Sequence, residues 1–206
     1  MTITDRPDLR SRADQSDILL AFVDRLREHP QLSEQNAIIA DQAVPEQFPG
    51  GGYCIVVAPG PGQFPGELWN GGHHATATED GSVIVGCYCT NKRDRPGRRE
   101  ATLLGRRHKA TQAPALQDRP DLMRWKRDIL SLLTVWNKEH GPKSQAWEPT
   151  KIQWDAETSE NLRIPLCRDI PVPVRVTGIL EVPEHPGWLG FQITFSVAWD
   201  WDLYAR

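Results

Sequence analysis

The chain predicts an α+β fold: a single antiparallel sheet with two helices packed on one face, joined by long loops. Three observations carry that expectation. Two stretches, near residues 16–29 and 120–138, repeat apolar residues at the spacing of an amphipathic helix. Several shorter runs alternate apolar and polar residues with period two, as half-buried strands do. The 16 glycines and 17 prolines fall between these periodic segments, where they mark turns and stiff loops.

Taken in order, residues 1–15 read as a flexible N-terminal arm and 16–206 as one α+β domain, a length that suits a single core. Asp14 or Ser16 can cap the first helix. Ile18, Leu19, Phe22, Val23 and Leu26 form its apolar stripe, and Pro30 ends it near His29. Ala37–Ala40 and Tyr53–Ala58 follow as strands, the second rich in β-branched residues. Residues 59–78 read as an irregular segment carrying Phe64, Trp69, His73 and His74. Glu79-Asp80-Gly81 has turn chemistry, so the third strand is expected over Ser82–Thr90. Residues 91–118 lack apolar periodicity. Pro120 suits a first helical turn, and Leu122, Trp125, Ile129, Leu132, Leu133 and Trp136 make the second stripe, stopped by Gly141-Pro142. After a polar, Trp-bearing connector, Pro171–Val182 reads as one strand, whose prolines suggest an edge or strand-start position because they cannot donate to a ladder. His185-Pro186-Gly187 is a turn. Trp188–Asp202 is the closing strand, with Phe191, Ile193, Phe195 and Val197 on its buried face.

Bulk composition narrows the function. Hydrophobic residues at 39% supply a core, which excludes global disorder. A net charge of −3 and a pI near 6.1 give no global basic field for nucleic acid or acidic membranes. No apolar run approaches the roughly 20 residues of a membrane helix, and Met1–Gln15 lacks the apolar stretch of a secretion signal. Synthesis in the cytoplasm is the expectation. In that setting Cys54, Cys87, Cys89 and Cys167 are expected to be reduced, buried and small-hydrophobe-like, since no C-x-x-C knuckle pairs them with a metal. No G-x-x-x-x-G-K-[ST], H-E-x-x-H or G-x-S-x-G is present. The expectation is therefore no enzymatic activity, no catalytic residue, no cofactor and no metal.

Two features point to contacts instead. Between residues 92 and 109, Lys92, Arg93, Arg95, Arg98, Arg99, Arg106, Arg107 and Lys109 face only Asp94 and Glu100. Such a one-signed window fits an acidic neighbouring subunit or phosphate. The second feature is Trp199-Asp200-Trp201-Asp202 at the exit of the last strand, where aromatics and carboxylates alternate. Arg93, Arg95, Arg98, Arg99, Arg106, Arg107, Trp199, Asp200, Trp201 and Asp202 are the expected subunit interface. Two alternatives stand beside it. One is a small-ligand or enzymatic module built on the 59–78 loop with His73 and His74. The other is a nucleic-acid-binding accessory protein using 92–109.

The helix at Asp17–Glu28, the strand pair Tyr53–Ala58 and Ser82–Thr90, the helix Leu122–Trp136 and the ending Gly190–Phe195 succeed one another in an order that resembles the tail terminator (tail completion) proteins of long-tailed bacteriophages. The resemblance spans about residues 16–203 and is one of element order, not of a motif. It implies a structural virion protein in the tail or neck. In such a protein copies of the chain form a ring, commonly a hexamer, that caps the tail tube protein and joins it to the head-side connector or neck protein. DNA would pass through the lumen without sequence readout, and no membrane would be involved. The family offers no invariant catalytic residue to carry over. The chain departs from it in extra length at 91–118 and 139–165 and in its Trp and Pro content. Deleting about residues 95–115, by the reading that long loops serve function, is expected to leave a cooperatively melting monomer that assembles poorly, as checked by thermal unfolding and sedimentation.

Overall fold

The structure is a computed structural model and describes residues 15–28, 37–48, 53–62, 69–71, 74–90, 122–134, 147–155 and 159–204. In chain order its elements are α1 (Gln15–Arg27), β1 (Ala37–Ile39), β2 (Tyr53–Pro59), β3 (Trp69–Gly71), β4 (His74–Thr90), α2 (Leu122–Thr134), β5 (Thr150–Asp155), β6 (Glu160–Pro165), β7 (Val172–Val176), β8 (Leu180–Glu181) and β9 (Trp188–Tyr204). The α+β class is as the sequence predicts, with both helices on one face of a mostly antiparallel sheet. The arm at 1–14 and the expected loop at 91–118 lie outside the described residues.

The seven-stranded sheet runs β1-β2-β4-β9-β7, with β3 added to β4 and β8 to β9. Its axis is the β4–β9 pair, antiparallel in register from His74↔Tyr204 to Thr90↔Trp188. Each strand is 17 residues long, against the five or six that are usual. On one face, Val83, Val85, Cys87 and Cys89 of β4 meet Leu189, Phe191, Ile193, Phe195 and Val197 of β9. Both helical stripes close over them. Ile18, Phe22 and Leu26 of α1 and Leu122, Trp125, Ile129 and Leu133 of α2 are almost wholly buried. Each such side chain contributes on the order of 1.5–3 kcal/mol of hydrophobic stabilisation. Phe22 links the layers: its ring meets Trp147 edge-on at 4.9 Å and Phe195 at 5.4 Å. Arg25, nearly buried between the helices, donates from Nε to the Leu132 carbonyl at 3.1 Å and pairs with Glu28.

Four sequence expectations need correction. First, β1 is parallel to β2, with Ala37↔Ile55 and Ile39↔Val57 in register. A parallel neighbour requires a crossover, and residues 40–48, its described part, run over the opposite face of the sheet. Second, β4 begins at His74, not Ser82, and the supposedly irregular stretch before it contains β3 paired to β4. Third, Pro171–Val182 is two strands. A bulge separates Pro173 from Arg175. The chain then leaves β7 at Thr177, whose Oγ1 accepts from the Gln192 N–H at 2.8 Å and whose carbonyl accepts from Lys126 Nζ at 2.7 Å. Fourth, the connector before it folds into a separate two-stranded sheet, β5–β6.

The sheet's second face is covered in part, over β2 and the neighbouring stretch of β4. Cys54, Val56, Ala58, Tyr88 and Val182 form a smaller cluster roofed by Ala43, Val44, Phe48 and Trp188. Tyr88 lies flat because Gly86 and Gly190 flank it. A methyl group on Gly86 would sit 2.6 Å from the ring, and one on Gly190 would overlap it. Its hydroxyl donates to the Ala43 carbonyl at 2.6 Å and accepts from Gln192 Nε2 at 3.0 Å.

Burial decides the titration of this core. It pushes the thiols of Cys54 and Cys167 from 9.0 up to about 12, Cys54 with help from Cys89 and Cys167 with help from Glu148. It raises Cys87 well above its ordinary range and Tyr88 from 10.0 to about 12, with the Gln192 hydrogen bond opposing that rise. A folded-state pKa above the unfolded one means that the unfolded chain releases its proton first as pH rises. Stability from these groups is therefore complete below about pH 9 and is lost progressively up to about pH 12. The unfolding free energy is expected to hold steady from neutrality to about pH 8.5 and to fall steeply by pH 10.5, by up to about 1.4 kcal/mol per group per pH unit. Equilibrium unfolding at a series of pH values checks it.

Candidate assembly surfaces

Among the described residues, two separate places on the sheets expose apolar side chains. The first is the β7–β8 margin of the main sheet. β7 ends the strand order and, among the described residues, is paired only to β9. Its Val172 and Val174 are 55% and 61% exposed, and Leu180 of β8 is 66% exposed. Ile170, just before β7, is exposed too. Edge strands bearing aliphatic side chains invite association. Yet Pro173 has no N–H, and the bulge beside it bends the strand. Both features discourage addition of another strand, so what this margin offers is its side chains.

The second surface is the outer face of the β5–β6 hairpin. Residues opposed across an antiparallel pair share a face, and the register opposes Ile152 to Arg163 and Trp154 to Asn161. All four are exposed, with Ile152 at 68% and Trp154 at 59%. The inner face is anchored. Ile164 is buried, Lys151 Nζ binds Asp17 of α1 at 3.1 Å, and the Leu166 N–H donates to the Pro149 carbonyl at 2.9 Å. The hairpin thus holds a tryptophan and an isoleucine outward from a fixed base. A flat aromatic presented in this way is the kind of residue that anchors protein interfaces.

The expected interface residues are placed differently from one another. Arg93, Arg95, Arg98, Arg99, Arg106 and Arg107 lie outside the described residues. Asp200, Trp201 and Asp202 continue β9 opposite Thr78, Ala77 and Thr76, on the part of the β4–β9 ribbon that runs beyond the end of β2. Trp199 overturns its assignment to the interface. Its side chain is fully buried in the helix-covered core, because it continues the inward alternation of Phe195 and Val197. Gly81 gives it room: a methyl group there would stand 2.5 Å from the indole. The indole N–H has no hydrogen-bond partner among the described residues, so Trp199 is held by packing.

Of the alternative sites, residues 92–109 lie outside the described residues. His74 lies in β4, opposite Gly71 and Tyr204, and His73 is outside the described residues. Among the described residues no group of three His, Cys, Asp or Glu side chains gathers as a metal site. None of the described helices is long and apolar enough to cross a membrane. One cleft, about 130 Å³, opens between α1 and the hairpin beside Asp24, Arg25, Glu28, Trp147, Glu148 and Arg163. That is small against the roughly 300–1,000 Å³ of ligand pockets, and its most buried cation is already engaged by Glu28 and the Leu132 carbonyl.

No protein-family model matches the chain, and no curated protein matches its sequence.

The hairpin's exposed pair carries no sequence signal beyond two apolar residues at alternate positions, a pattern shared with buried strands. Its exposure depends on the polar inner partner Lys151, which Asp17 satisfies from a distant helix. Because Trp199 is core, Trp199→Ala should cost the monomer about 3–5 kcal/mol, as for other large buried aromatics, and Gly81→Ala should also destabilise it. Urea denaturation at a concentration where the protein is monomeric checks both.

Proposed function

We propose that this chain is a structural, ring-forming subunit of the tail terminator or neck type. In that role it caps a tube of tail protein and joins it to the head-side connector. The observation that supports this reading is the pair of unlike apolar surfaces on one protomer. A closed ring is built from heterologous contacts, in which one patch of each copy meets a different patch of the next. The β7–β8 margin and the outer face of the β5–β6 hairpin are two such patches, the first aliphatic and blunted against strand addition, the second led by Trp154. The element order that resembles the tail terminators supports the same reading, and the mechanism is geometric. Rigid subunits repeat one contact until the rotation closes, and the ring then presents a fixed circle of contacts to the tube below it.

Heterologous pairing makes a distinctive prediction. Val174→Arg and Trp154→Arg should each abolish assembly alone, while an equimolar mixture of the two variants should form a heterodimer and nothing larger. Each variant keeps the surface that the other has lost, so one contact survives and a second cannot follow. Sedimentation velocity of the separate and mixed variants checks this. Assembly that survives either substitution, or a mixture that stays monomeric, would sink the reading.

A further inference from the structure

We propose that residues 40–48 form a latch that opens as a unit, independently of the helix-covered core, and uncovers the second face of the sheet. The inference begins with the parallel β1–β2 pair. Its crossover is ordinarily a helix, which carries its own hydrogen bonds. Residues 40–48 contain neither helix nor strand. They are held from outside, by the Ala40 N–H on the Val57 carbonyl at 3.0 Å, Tyr88 Oη on the Ala43 carbonyl at 2.6 Å and His185 Nε2 on the Pro45 carbonyl at 2.9 Å. Since a carbonyl only accepts, His185 carries its proton on Nε2 there. Phe48 is the main apolar clasp. Its ring stacks on Trp188 at 4.1 Å and meets His185 at 4.6 Å and Tyr88 at 5.1 Å.

Three features make this cover separable. The cluster beneath it shares no buried residue with the helix-covered cluster, since the sheet stands between them. The surface it leaves is preformed: Gly86 and Gly190 still cradle the Tyr88 ring, and Gln192 Nε2 still binds its hydroxyl when Ala43 withdraws. The turn that carries His185 is closed by its own bonds, the Val182 N–H to Trp188, the His185 N–H to Val182 and the Trp188 N–H to His185. The latch therefore leaves behind an intact apolar trough over β2 and β4. A segment with few bonds of its own, over a core that does not need it, is what opens first in a native protein.

Cysteine positions allow a direct test, since Cys54 lies under the latch and Cys87 lies on the helix-covered face, both fully buried. The native chain is treated with a thiol reagent across low urea concentrations, and modification of each cysteine is followed by peptide mass spectrometry. Cys54 should react at least about tenfold faster than Cys87, with a rate that changes little with urea, as local opening exposes little surface. Cys87 should react only along the steep urea dependence of global unfolding. His185→Ala should speed Cys54 by about tenfold and leave Cys87 unchanged. Equal rates and equal urea slopes for the two cysteines in the native chain would overturn the proposal. So would a His185→Ala variant that speeds both alike or neither.

Discussion

The full-length pairing of β4 with β9 is the constraint on which the rest of the structure depends. Each strand alone is half of two different surfaces, and only their registered union produces a face continuous enough for two helices. Val83, Val85 and Cys87 stand opposite Phe195, Ile193 and Phe191, so small β4 side chains alternate with large β9 ones across the ladder. Trp125 and Phe22 then fill the space above them. β2, β7 and the short strands attach to this ribbon without altering its register, apart from the bulge in β7.

The two faces of that ribbon are closed by different physical means. The helix-covered face is thick, aromatic and interlocked. The other is shallow and governed by one tyrosine, for which two glycines give up their side chains. The asymmetry follows from chain direction: β1 enters parallel to β2, so a connection has to cross the sheet, and it crosses on the face opposite α1 and α2. What the helices bury by area, the crossover holds by a few directed bonds and one stacked ring. The two covers differ in how many interactions must fail before water reaches what lies beneath them.

Much of this was legible in the sequence, and the failures have physical causes. The stripes of α1 and α2 and the alternation from Phe191 to Val197 read directly, because each is a strong periodic signal with one buried side. The parallel β1 was visible as Ala37–Ala40, but its direction was not, since a short apolar run carries no orientation. Gly81 misled most. Beside Glu79 and Asp80 it reads as turn chemistry, whereas it lies within β4 because the indole of Trp199 lies across it. Trp199 was misassigned with it, because a tryptophan flanked by aspartates looks like a rim residue. The β5–β6 hairpin escaped notice because its inner face is satisfied by Lys151 and Ile164 and not by an apolar run, and its outer face inverts the usual pattern.

The β4–β9 ribbon also sets the order in which the chain can fold. Its partners are separated by roughly a hundred residues of chain, a long loop to close before the central ladder can form. α1 with the β1–β2 unit, and the β5–β6 hairpin, involve nearer contacts and have no such wait. Until β9 docks, its alternating aromatic and β-branched segment Phe191–Trp199 is an unpaired strand with an apolar side, the kind of segment that finds other chains. Folding of this protein is therefore a race between one distant intramolecular pairing and its intermolecular imitation, and dilution should favour the native outcome.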